Sequence, residues 1–313
     1  MTPIDLSLLF GLAAMWGASF LFIKVAVLEI SPLMLVSIRL VLASGTMLLV
    51  QRALALRRPA PPAPPVRQMW RSYLYVSVVN AIIPYTLIAW GEERITSGTA
   101  SILNASTPLF TALLAGLAIT HAGVLDKLTP RRAIGLLVGF AGVTVLIVGS
   151  GADVDLPTGR SALLGEVAVL VASLSYGIGG LYGRRAFEGM PPILPATWQS
   201  IFGAAVLLPF ALVLTPLERV PSWQAIGSVV ALGVVGTAIA LLVYYELLAR
   251  VGATRTVMVT YLLPVMALFY GAVLLDEVVS VYALLGLALV LLGITVTARA
   301  RTSDEVRAIS DEQ

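Results

Sequence analysis

One feature limits the possible folds more than any other: apolar runs of membrane-spanning length follow one another along almost the whole chain. Ten can be marked, at Leu6–Leu28, Pro32–Gln51, Ser72–Gly91, Gly98–Ala118, Ala133–Gly149, Ala162–Gly183, Leu194–Thr215, Ala225–Leu248, Thr256–Leu275 and Val281–Ala298. A hydrocarbon core about 30 Å thick takes roughly 20 helical residues at about 1.5 Å each. The runs are continuous and do not alternate with period two, so an outer-membrane barrel is excluded. Charged residues make up only 12% of the 313, about half the share in a water-soluble chain. The expected fold class is an all-α integral membrane protein with ten transmembrane helices.

The joining segments set the orientation. With the N-terminus inside, inner loops and tail carry fifteen of the twenty lysines and arginines, outer loops only Arg94, Arg160 and Arg219. This positive-inside bias predicts that both termini are cytoplasmic and that the chain sits in the cytoplasmic membrane as a multi-pass protein. It also accounts for the pI near 9.3 without nucleic acid. The first run lacks a basic leader and a small-residue cleavage site, and is expected to be retained as a span. Zero cysteines exclude thiol nucleophiles and thiolate metal sites. The inner loop 57–67, RRPAPPAPPVR, is expected as an extended, stiff connector or, alternatively, a ligand for a proline-reading domain. The tail 299–313 is expected to lie in the cytoplasm, its polar part 302–313 without regular structure.

The chain repeats itself. A shift of 160 carries Trp16-Gly17 onto Tyr176-Gly177 and Lys24 onto Arg184; a shift of 156 carries Pro108 onto Pro264 and His121 onto Glu277. Gly135 and Gly142 are seven apart, as are Gly286 and Gly293, and the first half has about five extra residues near 125–129. The division is 1–150 and 161–298. Five spans per half is an odd number, so the halves enter the membrane in opposite directions, an arrangement that in many transporters puts the substrate between them near the midplane.

Two five-span repeats, a proline in the fourth span of each, and Leu275-Asp276-Glu277 followed by Gly286 and Gly293 resemble the drug/metabolite transporter superfamily in its EamA-like exporter branch. The resemblance runs from about Leu6 to Ala298 and departs at His121, where the family often has glutamate. It implies ten helices around a central cavity and export of amino acids or other small metabolites, with no cofactor.

Within the spans, Ser97, Ser101, Asn104, Pro108 and Thr111 recur at steps of four and three, which places them on one face of a helix. In the second copy only Thr260 of the matching face is polar. Pro108 and Pro264 are expected to bend their helices in mid-span, as packing kinks or as hinges of a cavity. Asn80 and Asn104 find no partner in lipid and are expected to face the bundle or water. The matched mid-span pair Trp16 and Tyr176 is expected on the cavity, with Asn80, Tyr85, Trp90, Ser101, Asn104, Tyr245 and Tyr261. Trp70, Tyr73, Trp223 and Tyr282 are expected in the interfacial belts. Lys24 is expected to snorkel to the headgroups, whereas Arg39, about 10 Å past the start of its helix, needs a carboxylate or several carbonyls. Glu246 and Arg250 form an i,i+4 pair, and Glu166 is expected at an interface. The small-residue pairs Gly135/Gly139 and Gly179/Gly183 allow close helix approach, within a monomer or across a homodimer.

HExxH, GxSxG and Walker sequences are absent and there is one histidine, so hydrolysis, metal catalysis and ATP-driven pumping lack their parts. The sequence therefore predicts a non-enzymatic secondary transporter working by alternating access, its partners a small-molecule substrate and the lipid bilayer. An aromatic lining suits amino acids with flat side chains. The alternatives are proton-coupled efflux of drugs or toxic compounds and a non-transporting membrane scaffold.

Overall fold

Helices begin where the sequence supplies a cap. Thr2 and Asp5 exchange side-chain and backbone hydrogen bonds in a capping box ahead of α1 (Pro3–Ala26). The hydroxyl of Ser31 caps α2 (Pro32–Ala55), that of Thr96 caps α4a (Ser97–Asn104), and that of Ser222 caps α8 (Trp223–Val251). Each satisfies an N–H that the first helical turn leaves free. The remaining helices are α3 (Val66–Glu92), α4b (Thr107–Gly116), α5 (Pro130–Ser150), α6 (Arg160–Ala186), α7 (Ile193–Leu214), α9 (Val259–Leu274) and α10 (Val281–Asp311). The computed structural model describes residues 1–56, 64–117, 129–150, 160–256 and 258–311 of the 313. Most of the proline-rich loop, His121 and most of the extra stretch near 125–129 lie outside them.

With α4a and α4b counted as one broken span, ten spans stand among the described residues. α1 packs on α8 and α9 as α6 packs on α3 and α4b, while α2 pairs with α7 and α5 with α10. Exchanging each helix for its repeat partner leaves this pattern unchanged. The crossing points match in detail. A Cβ on Gly17 would come 3.1 Å from the amide nitrogen of Ala267, and one on Gly177 would come 3.2 Å from that of Thr111. The last turn of α1, at Lys24, lies beside the Glu92–Ile95 turn, where α6 begins, its Gly165 against Gly91. The two helices run in opposite directions, and the repeat is inverted.

The structure revises several expectations. α4 is not a bent rod but breaks at Ala105 and Ser106, three and two residues before Pro108. Proline has no N–H for the carbonyl of Asn104, which accepts from the Thr107 hydroxyl at 2.8 Å instead. Around Pro264, α9 continues unbroken, so the two prolines do not mark equivalent breaks. Tyr73 is not in the interfacial belt; it is buried, with its ring stacked on those of Phe187 and Trp198. Glu166 is buried too. Gly135 and Gly139 meet Gly293 of α10 in the same chain, and Gly179 faces Asn80, so these three glycines serve close approach within the chain. α10 runs past the last apolar residue of its span into the tail as far as Asp311, the last described residue, because residues 294–311 contain no glycine or proline to stop it.

Candidate functional site

The sequence did not announce that both long helices facing α1 and α6 carry a π-helical turn. In α3 it spans Val78–Ile82 and in α8 Val234–Ile239, at corresponding places in the two repeats. Such turns displace side chains from the α-helical register and are common at functional sites. Here the first carries Asn80 and the second Gly236 and Thr237. Asn80 lies against Gly179 of α6, and Gly236 lies against the Ser19 hydroxyl of α1. Ser19 and Gly179 are repeat partners, so each crossing pairs one polar residue with one glycine, in swapped order.

Between these crossings lies a cavity of about 700 Å³. Its walls are aromatic. The Trp16 and Tyr244 rings are 5.6 Å apart and those of Tyr244 and Tyr245 are 5.3 Å apart; Tyr85 and Tyr176 meet edge to face at 6.3 Å. Arg39 enters from α2. Its Nε donates to the Thr237 hydroxyl at 2.9 Å and its guanidinium lies 3.9 Å above the Tyr85 ring. The expected carboxylate or set of carbonyls is replaced by one hydroxyl and one ring face, which hold the group while leaving donors open to the cavity. Among the described residues the charged ones in the lining are Arg39 and Arg184, with no aspartate or glutamate. The side-chain oxygens of Asn80 and Asn104 are buried without a hydrogen-bond partner. The site thus offers a fixed cation, unpaired amide acceptors and flat apolar faces.

Of the residues expected on the cavity, Trp16, Asn80, Tyr85, Asn104, Tyr176 and Tyr245 line it, as does Pro108. Trp90, Ser101 and Tyr261 do not. The Trp90 ring is covered by the guanidinium of Arg94, 3.7 Å away. Ser101 is fully buried and donates to the carbonyl of Gly98, and Tyr261 packs on the main apolar core. Pro264 is buried off the cavity. Ser19, a polar residue at span depth that was not expected on the cavity, lines it, as do Thr237 and Gln199, which the sequence did not single out; polar residues in apolar helices gave no signal that separated lining from packing.

The two ends of the cavity differ. It reaches the ends of α6 and α8, where Arg184, Phe187 and Leu248 contribute. The Lys24 end is tied shut. The Lys24 ammonium turns inward, not to the headgroups, and donates to the carbonyls of Glu92 at 2.6 Å and Ile95 at 2.8 Å. The Glu277 carboxylate accepts from the Ser97 N–H and hydroxyl, both at 2.8 Å, and from the Gly98 N–H at 3.2 Å. It thereby caps α4a from the far end of α9, an anion at a helix N-terminus. Glu29 likewise accepts from the N–H and hydroxyl of Ser222 at the start of α8. Hydrogen bonds from Ser222, its hydroxyl first, hold the Glu29 carboxyl below its ordinary range. At the opposite end Arg250 pairs with Asp5 at 2.8 Å and more loosely with Glu246 at 3.5 Å.

Known proteins share this plan. A transporter of Bacillus subtilis, YoaV, whose function is uncharacterized, is 26% identical over 287 residues, covering 89% of this chain and 91% of its own. The uncharacterized inner membrane transporter YedA of Escherichia coli K12 is 26% identical over 288 residues, covering 91% and 88%. A protein of solved crystal structure superposes with a TM-score of 0.63 at 17% identity over 97% of this chain and all of that one, which is a likeness of fold alone. The profile of one family fits residues 4–148 and 163–299, the two inverted repeats in turn. With its paired five-helix halves closed around a cavity, the chain belongs to the EamA-like transporter family.

Proposed function

We propose that this chain is a secondary transporter that exports small carboxylate-bearing metabolites, amino acids with flat side chains foremost, across the cytoplasmic membrane by alternating access. The observation that carries this reading is the charge of the lining. Arg39 is buried, held by one side of its fork, and unopposed by any acidic residue among the described lining. A guanidinium presented this way suits a carboxylate, which it can grip with two parallel hydrogen bonds. The unpartnered oxygens of Asn80 and Asn104 suit an ammonium group, and the rings of Trp16, Tyr85 and Tyr176 suit a flat side chain. A cavity of about 700 Å³ is of the size that encloses small molecules, about 300–1,000 Å³. A cationic drug would meet Arg39 with like charge, which disfavours the efflux alternative.

The positive-inside bias supports an orientation with Arg184 at the cytoplasmic face. In that orientation the closed Lys24 end faces out and the cavity is poised to load from inside. Purified protein in liposomes, tested by counterflow of labelled phenylalanine, examines the reading. Trp16→Ala and Tyr176→Ala are expected to weaken counterflow, and Trp70→Ala and Trp223→Ala, both exposed at the periphery, to leave it near wild type. Equal effects would sink the site assignment. No exchange with any labelled amino acid or other carboxylate would sink the transport reading.

A further inference from the structure

The closed end holds a carboxyl group that substrate binding does not account for. Glu92 ends α3 and is fully buried, and neither of its side-chain oxygens accepts a hydrogen bond. Ile88, one turn earlier on the same helix, lines the cavity. The charged neighbours come from every side: Lys24 on α1, Arg39 on α2 and Glu277 beyond α9 act on it electrostatically. α6, packed against Gly91 through Gly165, brings the buried Glu166, which has contacts of its own. On the chain itself, Glu93 and Arg94 are paired with each other at 2.6 Å.

An ionised carboxylate placed here would be a charge withdrawn from water with no donor on either oxygen, a state proteins avoid by neutralising the group. The Lys24 ammonium acts on it through space but gives it no hydrogen bond, because it is engaged with the carbonyls of Glu92 and Ile95. Those two bonds also help hold this end shut. Lys24 therefore has two competing uses. Beside a neutral carboxyl it stays on the carbonyls; beside a carboxylate it is drawn to the charge and the carbonyls are released.

We propose that Glu92 is a proton-binding site of the transport cycle, protonated while the Lys24 end is closed and ionised when that end opens, so that solute movement is coupled to a proton gradient. The proposal rests on the transport reading above. In the ionising step the carboxyl O–H bond breaks, its electron pair stays on oxygen, and the proton passes to water. Sodium fits less well, since a metal ion needs several oxygen ligands and the backbone carbonyls at hand are taken by Lys24.

Proteoliposomes holding wild type or Glu92→Gln test it, with counterflow of labelled phenylalanine compared with accumulation driven by a pH step or by a sodium gradient. A step of about one unit is expected to drive wild-type accumulation, to as much as about tenfold for one proton per solute. Glu92→Gln, which mimics the neutral carboxyl and leaves Lys24 on the carbonyls, is expected to hold the Lys24 end shut, so that it still binds phenylalanine but loses both counterflow and the response; sodium is expected to drive neither protein. Glu92→Asp, which can still titrate, is expected to retain coupling with a displaced pH profile. Wild type that exchanges phenylalanine but ignores the pH step, or Glu92→Gln that responds like wild type, would overturn the proposal. Wild type with no exchange would instead refute the transport reading beneath it. Infrared spectra of wild type alone give a readout independent of the variants. A protonated-carboxyl band is expected at neutral pH in the substrate-free protein, and its absence would overturn the assignment.

Discussion

A methyl group on Gly293 is expected to destabilise the protein without touching its site. α5 and α10 cross so closely that a Cβ there would stand 2.5 Å from the N and Cα atoms of Gly139 and 2.6 Å from the carbonyl oxygen of Gly135. Ordinary contact begins near 3.4 Å, so the two backbones must part by close to 1 Å. Overpacking of that kind costs about 1–3 kcal/mol. A gap of about 0.5–1 Å also forfeits a quarter to a half of each dispersion contact along the seam. The gain in helix propensity of alanine over glycine, about 1 kcal/mol, offsets only part. Gly293→Ala is therefore expected to lower the melting temperature in detergent by several degrees, at about 2–4 °C per kcal/mol. At Gly11 and Gly227 such a methyl would meet nothing within 4 Å, so Gly11→Ala and Gly227→Ala are expected to be neutral or stabilising. Neither α5 nor α10 contributes to the cavity lining, so counterflow by Gly293→Ala should match wild type at permissive temperature. A Gly293→Ala protein that melts with wild type, or a Gly11→Ala protein that falls as far, would refute the reasoning.

Other expectations follow from single contacts. The lowered carboxyl of Glu29 makes a contribution that is present above its ordinary value of 4.5 and is lost as the pH falls through the lower folded value. Glu29→Gln should flatten that acid part of a melting-temperature profile, and an unchanged profile would contradict it. Arg39→Gln is expected to weaken apparent substrate affinity by about tenfold or more, since charged hydrogen bonds are worth about 1.5–3 kcal/mol. Arg39→Lys should fall between, keeping the charge but losing the fork held by Thr237 and Tyr85. An unchanged half-saturation concentration in Arg39→Gln would show that the guanidinium does not hold substrate.

Span number, inverted repeat and family were legible because each is written in long-range pattern: apolar length, alternation of basic loops, and residues recurring at fixed shifts. The site was legible only where the helix stayed regular. The stripe from Ser97 to Thr111 assumed one continuous helix; the break at Ala105 and Ser106 separates Ser97, Ser101 and Asn104 from Pro108 and Thr111, and within α4a Asn104 lines the cavity while Ser101 turns to the Gly98 carbonyl. The matched aromatic pair Trp16 and Tyr176 lines the cavity, since mid-span position and repeat symmetry both survive local distortion. The π turns do not follow from any residue pattern, and they set Asn80 and Thr237. Glu92 was hidden by its place at a span end beside Glu93 and Arg94, where a charged residue reads as interfacial; only packing against α1 and α6 buries it.

Whether this cavity is reached alternately from the two faces can be tested directly because the chain has no cysteine. A single cysteine at Asn104 or at Ser19, both on the cavity, can be treated with a membrane-impermeant thiol reagent from either side of an oriented vesicle. Labelling is expected from the cytoplasmic side, and from the outer side once substrate drives turnover, with protection by saturating substrate. Labelling from one side only under every condition would contradict alternating access.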